Sequence, residues 1–555
     1  MRAAILTVTA LVALLAPLPM ATVAAQAMAN AEAGPPRGTG TYKDLLTLWA
    51  AFLAWRDTPP ADGVSNWSAA AVARQRATMD DYLARIETIN VAAMPRAQQV
   101  EWLAARSKML QHYFLLNVAK PWERDPGFYV DQMLDMAFAE LPAKGASLAK
   151  LQSELRSVAP LVAAAKTNLR DVPGDYADLA LHNLDTADGV GHGHPYRIVP
   201  PAGILGWFDD LAGRARTAQP ELLPDIAAAR ASAVDFQSWI AAGRPQMTAK
   251  AGVGEARFDW YLRNVKLLPY TAAQLSVLGE RETERLWSIH ALEEHRNRKL
   301  AKLELPKTEA EYALRKAETQ KRIAGWLAAE QIITVPDDIG PLYVNVPWIV
   351  RPGGPNFWEQ IQYRDPSPDL LHATLPGHAF DGQMAKRDKR PIRGRIADGV
   401  RAEGWGVYLE EAAQKLGFFE DRPQVRELVD LFGIFRAVRV AGDIDLQLNR
   451  KTVPEVVAEW RRLTPWLDGN VARVDAEIYL RRPPGYGLGY TVGMIEMQKL
   501  LADRRQQLGD KFVLKDFHDE FMAVGRLQMS LVRWDMTGHD DEVKQFWQRE
   551  PLPPA

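Results

Sequence analysis

Apolar residues recur at intervals of three and four along most of this chain, and no other feature constrains the fold as strongly. Stretches 98–119 and 280–305 are clear examples, because each places its apolar side chains on one face of a helix. The clearest strand-like stretch is 341–350, which Pro347 interrupts. No repeat with a period of about 20 to 50 residues is visible, so a solenoid is not expected. We predict a mainly α, large multi-helical fold with at most a small β-sheet near 341–350.

The composition fits a large folded protein and narrows its partners. The chain has 555 residues, of which 47% are apolar and 25% are charged, so it can bury a sizeable core. Its formal charge of −2 gives no reason to expect nucleic acid or an anionic membrane as a partner. The 17 tryptophans indicate either filled helix interfaces or a surface on which ligands stack.

The N-terminus has the pattern of an export signal. A short basic start precedes an apolar run at 3–15, and small residues follow at 23–29. The run is too short and too broken by prolines for a stable membrane span. We predict a signal peptide over 1–25 and a periplasmic or secreted protein. Because the chain has no cysteine, we expect neither a disulfide framework nor a lipid-modified N-terminal cysteine.

Two irregular stretches mark candidate joints between regions. One is 194–203, which contains adjacent prolines, and the other is the glycine-rich stretch near residue 250. We therefore expect an N-terminal helical region over 40–250 and a C-terminal region over 251–550.

The stretch "LHATLPGHAFDG" in the C-terminal region is typical of a zinc-binding helix and loop. It contains His372 and His378, and Glu403 follows some thirty residues later. On one continuous helix the two histidines would point about 120° apart, because six residues turn about 600°. Pro376-Gly377 allows the helix to end and His378 to return toward His372. Chance polar residues of a loop, or core histidines with ordinary hydrogen-bond partners, remain alternatives.

Several blocks of this region resemble, in order and spacing, the bacterial family catalogued as domain of unknown function 885. The blocks are "LLHATLPGHAFDGQ", "AEGWGVYLEEAAQKLGFF", "FRAVRVAGDID", "RRPPGYGLGYTVGMIEMQKL" and "KFVLKDFHDEFM". The upstream stretches "KPWERDPGFYV" and "FDWYLRNVKLLPYT" also resemble that family, so the similarity covers most of the mature chain. The family's fold and motif resemble zinc metallopeptidases. The resemblance implies a zincin-like fold, a metal cleft in 251–550 and a peptide or small amide as substrate.

The resemblance also implies a ligand set for zinc. Catalytic zinc takes three protein ligands and a water that a nearby carboxylate deprotonates. The family's first block reads His-Glu-x-x-Pro-Gly-His-His, and a later Glu-Gly-Trp supplies another carboxylate. On this pattern His372, His378 and Glu403 are the expected metal ligands. Glu410 shares a helical face with Glu403 within a helix predicted over 403–416, so it either holds a histidine ligand or belongs to a solvated face.

This chain departs from the family pattern at positions that matter for catalysis. Ala373 stands where the family has its general-base glutamate, and Ala379 replaces the second histidine of the His-His pair. Gln447 aligns where the family often has a histidine. Because alanine cannot accept a proton, ordinary peptidase activity is expected to be lost or strongly reduced. Asp381 is the nearest replacement base by sequence.

Other candidate residues lie further along the chain. Tyr490 matches a family tyrosine whose phenol can donate a hydrogen bond to a developing oxyanion. Arg436, Arg439 and Asp443 share one helical face, on which the arginines can orient a substrate carboxylate. An i,i+4 ion pair between Arg439 and Asp443 is the simpler alternative. The basic run at 386–395 is either a solvated loop or a guard for acidic groups at the entrance of the cleft.

Three functional classes follow from these observations. The first is an active metal-dependent hydrolase of peptide or amide bonds, in which Asp381 or another carboxylate replaces the missing base. The second is an inactive pseudopeptidase that binds peptides or a partner protein. The third is a tryptophan-rich binding protein of the cell envelope. The matching blocks surround the expected cleft, which favours the first two classes.

Overall fold

The computed structural model describes residues 34–58, 65–188, 197, 199–340, 342, 347–351 and 353–554. The signal peptide predicted over 1–25 lies outside them. Within the described residues the protein is mainly α, as the periodicity predicts, and its β-structure is limited to isolated bridges such as Arg37 with Asn90.

The small sheet expected near 341–350 is not found in the part of the chain that the structure describes. Residues 347–350 have no regular secondary structure, and most of 341–346 lies outside the described residues. Pro347 lacks a backbone N–H, which is consistent with the absence of strand pairing there.

The helices of the N-terminal half contribute residues to the large hydrophobic core. Their bounds are α1 Tyr42–Arg56, α2 Ala69–Ile86, α3 Arg96–Phe114, α4 Pro121–Arg124, α5 Pro126–Asp131, α6 Leu134–Ala137, α7 Ala146–Asn168, α8 Gly174–Asp185, α9 Gly203–Ala218 and α10 Leu223–Gly243. Two of these helices, α7 and α10, pack extensively on each other.

The C-terminal half continues with further α-helices. Their bounds are α11 Glu255–Tyr261, α12 Ala272–Asn297, α13 Glu309–Ala329, α14 Phe357–Arg364, α15 Ser367–Ala373, α16 His378–Arg387, α17 Gly399–Lys415, α18 Gln424–Gln447, α19 Val453–Leu463, α20 Gly469–Arg481, α21 Gly489–Leu508, α22 Leu514–Val524 and α23 Met529–Thr537. The most extensive pairings are α12 with α18 and α17 with α21.

Side chains at both ends of α17 explain its bounds. The Asp398 carboxylate accepts a hydrogen bond of 3.0 Å from the backbone N–H of Arg401, which satisfies a free donor of the first turn. After Lys415 the chain reaches Gly417, whose φ of +78° is a left-handed conformation that glycine adopts without a steric penalty. The helix and the stop at Gly417 predicted from the sequence are confirmed.

One large hydrophobic cluster runs from Leu45 to Trp547 and so includes residues of both predicted regions. Many tryptophans belong to helix interfaces, since Trp102 and Trp405 are fully buried and Trp460 is 1% exposed. The described residues include no helix that is both long and apolar enough to cross a membrane.

Two glycines allow α17 and α21 to approach closely. A Cβ atom added to Gly404 would lie 2.2 Å from the carbonyl carbon of Gly493, so neither position tolerates a side chain without movement. This contact brings the start of α17, which carries Glu403, beside the start of α21, which carries Tyr490. The helix pair therefore builds one side of the candidate site.

Candidate metal centre

Three side chains from consecutive helices meet at one point. His372 lies at the end of α15, His378 begins α16, and Glu403 lies near the start of α17. Glu403 Oε2 is 3.3 Å from His372 Nε2 and 3.2 Å from His378 Nε2. One potential ligand atom from each residue lies within 4.8 Å of the others. The convergence of these residues predicted from the sequence is confirmed, and their binding of a metal remains a prediction.

The spacing of these atoms fits a tetrahedral zinc ion. Two ligand atoms about 2.1 Å from one zinc, at the tetrahedral angle, lie about 3.4 Å apart. The two distances from Glu403 Oε2, 3.3 and 3.2 Å, are close to that value. Two histidines and one glutamate also form a ligand set found in catalytic zinc sites, which keep one position free for water. The residues present therefore fit zinc.

The turn between α15 and α16 returns His378 to His372. A Cβ atom on Gly377 would lie only 1.8 Å from the His372 carbonyl oxygen, so this close turn requires glycine. The indole Nε1–H of Trp405 donates a hydrogen bond of 2.9 Å to the Pro376 carbonyl and fixes the turn against α17. The predicted end of the helix before Pro376-Gly377 is confirmed.

A buried ion pair lies behind His372. Its Nδ1 atom is 2.8 Å from Glu410 Oε1, and Arg436 Nη1 donates a hydrogen bond of 2.5 Å to the other carboxylate oxygen. A carboxylate on the far ring nitrogen of a histidine fixes the ring and leaves Nε2 free for a metal. Gly406 makes room for the ring, because a Cβ there would lie 2.5 Å from Nδ1. Of the two roles considered for Glu410, the geometry favours support of the histidine.

Residues 369–536 match a family described as a bacterial protein of unknown function, DUF885. The matched segment contains all three converging side chains and the Glu410–Arg436 pair. A search of the curated proteins finds no significant match.

Two solved structures are similar over most of the chain. One is described as a "putative lipoprotein of unknown function from Shewanella oneidensis", with a TM-score of 0.63 and 16% identity, and the match covers 89% of this chain and 97% of that one. The other is a "putative lipoprotein from Colwellia psychrerythraea", with a TM-score of 0.65 and 14% identity, covering 90% of this chain and 98% of that one. At these identities the similarity shows a shared fold.

Burial, hydrogen bonds and neighbouring charges together shift the pKa values of Glu403 and His372. Burial alone would raise the pKa of Glu403, but the hydrogen bonds and charges of His372 and His378 lower it well below its usual range. Burial and the nearby Arg436 would lower the pKa of His372, whereas its bonds to Glu403 and Glu410 raise it overall. Without a metal, the same atoms form a hydrogen-bonded histidine–carboxylate cluster.

Tyr490 lies at the edge of the cluster, as the sequence predicts for a residue of the site. Its ring stacks on that of His372, with centroids 6.4 Å apart and planes 18° apart. Burial and the charge of Glu403 raise the pKa of Tyr490 well above its usual value, so the phenol keeps its proton at neutral pH. The phenol is therefore able to donate a hydrogen bond.

Arg439 lies beside Tyr490, with its guanidinium carbon 4.9 Å from the ring centroid. Its ion-pair partner is Asp475, at 2.8 Å. The predicted i,i+4 ion pair between Arg439 and Asp443 is therefore wrong. Asp443 Oδ2 instead accepts hydrogen bonds from the backbone N–H groups of Gly487 and Leu488, at 2.7 and 3.2 Å. Since Arg439 already has a counterion, its predicted contact with a substrate carboxylate would compete with Asp475.

The hypothesis that Asp381 replaces the missing base requires its carboxylate to act at the histidine cluster. In the structure this carboxylate instead pairs with an arginine. Its Oδ1 atom is 2.6 Å from Nη1 of Arg401, and both side chains are buried. The carboxylate is therefore paired with a buried guanidinium and not with a side chain of the histidine cluster. The side-chain amide of Gln447 also lies elsewhere, donating 2.8 Å to the Tyr479 carbonyl. The geometry therefore does not favour Asp381 as a base.

The sequence reasoning missed Asp369, a carboxylate beside the histidines. It lies three residues before His372 in α15 and so on a nearby part of the same helical face. Burial raises the pKa of Asp369 to about 6, while the charges of His372 and Arg436 act to lower it. Its i,i−3 spacing from His372 is the signal by which the sequence could have identified it.

Proposed function

We propose that this protein is an exported zinc protein of the amide-hydrolase type, with His372, His378 and Glu403 as ligands and slow turnover. The observation that carries the proposal is the spacing of 3.2 to 3.3 Å between Glu403 Oε2 and both histidine Nε2 atoms. Support comes from the Glu410–Arg436 pair behind His372, because structural carboxylates on metal-bound histidines are a regular feature of such sites.

When held by these three side chains, zinc would act as a Lewis acid toward a carbonyl group and would lower the pKa of water. Tyr490, which keeps its proton, donates a hydrogen bond to a carbonyl oxygen that gains negative charge. Glu410 keeps the His372 ring in one orientation and tautomer. Ala373 offers no group that can take a proton from water, and a positioned general base contributes about 10²- to 10⁴-fold. Turnover by this protein is therefore slow.

Asp369 is the carboxylate that best suits the missing role. Burial raises its pKa to about 6 in the protein without metal, and the charge of a zinc ion on the histidines would lower that pKa and keep the carboxylate ionised. Its position one helical turn before His372 differs from that of the family glutamate, which follows the histidine directly. We infer a proton acceptor that is less well placed than the glutamate that Ala373 replaces.

Export is supported by two independent observations. The N-terminal sequence has the basic, apolar and small-residue order of a signal peptide. The two solved structures reported above are described as putative lipoproteins, a class that belongs to the cell envelope. We therefore propose a periplasmic or secreted location.

A fluorogenic peptide library tests the proposal, with the protein either loaded with zinc or treated with EDTA. We expect slow hydrolysis that requires zinc, is lost in His372→Ala, and falls in Asp369→Asn. His295→Ala is the matched control, because His295 is exposed on α12 and lies outside the cluster. Hydrolysis that persists after EDTA treatment and in His372→Ala would place the active site elsewhere.

A second candidate function is that of a pseudopeptidase, which binds peptides without cleaving them. The absence of a base at Ala373 favours it. It predicts that zinc-loaded protein retains intact peptides in equilibrium dialysis while mass spectrometry detects no cleavage. Measurable zinc-dependent cleavage would reject it.

A further inference from the structure

A cavity lies beside α16, and its lining does not include the three converging side chains. Its volume is about 450 Å³, and it is lined by α16, the basic run after that helix, α22 and the segment 333–336. This volume falls within the range of small-molecule sites, roughly 300 to 1,000 Å³. Neither histidine of the candidate metal centre nor Glu403 lines it. Nothing in the proposed hydrolase chemistry uses this cavity.

The carboxylates that line the cavity already have partners. Asp381 is paired with Arg401 at 2.6 Å, and Asp388 is paired with Arg390 at 2.7 Å. Asp519 accepts a hydrogen bond of 2.8 Å from the Thr334 backbone N–H and is paired with Lys515 at 3.0 Å. The negative charges of the lining are therefore compensated by neighbours.

Arg526 is the exception among the cationic groups of the lining. No ion pair or hydrogen bond of its guanidinium is found within the described residues, and its Nε atom is buried without a partner. The two terminal nitrogens of Arg526 are the donors that a ligand can reach, because Nε is closed off from solvent. A carboxylate is the group that a guanidinium binds best. Lys389 adds a second positive charge at the exposed rim.

Part of the cavity wall is apolar. Phe380, Met384, Ile396 and Met522 contribute to it, from α16, the segment after it, and α22. A ligand that fills the cavity must therefore combine a negative group for Arg526 with an apolar body for these side chains. Inorganic anions meet only the first requirement.

We propose that this cavity binds a small amphipathic carboxylate, that is, one carboxylate group on an apolar body about the size of a medium-chain fatty acid. Arg526 binds the carboxylate, and the Phe380–Met384 wall contacts the apolar part. The same chemistry occurs in a free fatty acid and in the C-terminus of an apolar peptide.

Isothermal titration of the full chain in EDTA tests the proposal, since removing metal prevents coordination of a carboxylate to zinc at the histidine cluster. Octanoate represents the fatty acid and N-acetyl-leucyl-leucine the peptide terminus, and octylamine and inorganic phosphate are the comparison ligands. We expect at least one carboxylate to bind with a Kd below about 1 mM, a reasonable value for some ten to twenty heavy atoms. Tighter binding of octanoate indicates a fatty acid, and tighter binding of the dipeptide indicates a peptide terminus. Octylamine and phosphate should bind at least about tenfold more weakly.

Two variants examine the two halves of the cavity separately. Arg526→Gln should weaken carboxylate binding at least about tenfold, as expected for the loss of a charge-assisted contact. Met384→Trp fills the apolar part and should also reduce binding, while leaving Arg526 in place. Arg281→Gln is the matched control, because Arg281 is 76% exposed on α12.

Circular dichroism shows whether Arg526→Gln folds. If it does not, the proposal is tested by the Kd of Met384→Trp for the carboxylates and by the preference of the wild type for carboxylates over octylamine and phosphate. The proposal is overturned if the wild type binds neither carboxylate, if octylamine binds as well as octanoate, or if a folded variant of either kind changes the Kd less than twofold.

Discussion

Replacement of Glu410 by glutamine tests whether the buried pair behind His372 serves a metal centre. Glu410 is 1% exposed and has two partners, His372 Nδ1 at 2.8 Å and Arg436 Nη1 at 2.5 Å. Glutamine keeps the size of the side chain but removes the charge that both partners require. The ring of His372 then loses its fixed orientation, and its Nε2 becomes a weaker ligand.

The expected magnitude follows from the role of such carboxylates. Loss of a carboxylate that orients a histidine ligand typically lowers metal affinity about 10- to 100-fold, which is about 1.4 to 2.7 kcal/mol. Stability should fall as well, because the buried Arg436 loses its counterion, a change that costs about 3 to 5 kcal/mol. Zinc binding must therefore be measured at a temperature where circular dichroism shows the variant to be folded.

Competition against a chromophoric chelator gives the zinc affinity directly. Glu411→Gln is the matched control, since Glu411 is the next residue of α17 but pairs with Arg285, at 2.5 Å, rather than with His372. We expect Glu411→Gln to change zinc affinity less than about threefold, because its charge lies outside the cluster. Unchanged zinc affinity in a folded Glu410→Gln protein would refute the reasoning that this pair prepares His372 for a metal.

Three further predictions concern the base, the pair at Asp381 and the response to acid. Ala373→Glu should raise zinc-dependent peptide hydrolysis at least about tenfold, measured as initial rates at equal zinc occupancy, and an unchanged rate would contradict the role assigned to this position. Asp381→Asn leaves the buried Arg401 unpaired and should lower the free energy of unfolding in urea by about 3 to 5 kcal/mol. The rate of hydrolysis per bound zinc should stay unchanged in the folded variant. Abolished turnover would instead identify Asp381 as the base. Burial lowers the pKa of His518 from 6.5 to about 4. As the pH falls, the unfolded chain therefore takes up a proton on this side chain before the folded protein does. Neutral His518 contributes about 3 kcal/mol of stability above pH 6.5, and this contribution is lost as the pH falls from 6.5 through 4. His518→Gln should therefore flatten the fall in unfolding free energy between pH 7 and 4, and an unchanged slope would show that another group is responsible.

Local patterns made much of the fold predictable from the sequence. Apolar spacing of three and four residues gives α17 and its neighbours, and Gly417 marks the end of α17 because a left-handed residue there favours glycine. Pro376-Gly377 indicated that the chain turns back between His372 and His378. These features depend on neighbours in sequence, which is why sequence reasoning could reach them.

Partners distant in sequence were not predictable in this way. Arg439 pairs with Asp475 rather than with Asp443, because α20 presents a carboxylate to it across the helix interface. Asp381 pairs with Arg401, twenty residues away, although its position after Pro376-Gly377 made it the nearest candidate base. Identifying either contact requires knowledge of how the helices pack, which depends on close approaches such as that between Gly404 and Gly493.

Zinc content is the most direct test of the proposed metal centre. The full chain is dialysed against buffered zinc and then against metal-free buffer, and zinc and protein are quantified by inductively coupled plasma mass spectrometry and amino-acid analysis. The account predicts about one zinc per wild-type chain and less than about a tenth of that in a folded His372→Ala, Glu403→Gln double variant, because binding needs all three ligands. Wild-type protein without zinc, or equal zinc in both proteins, would contradict it.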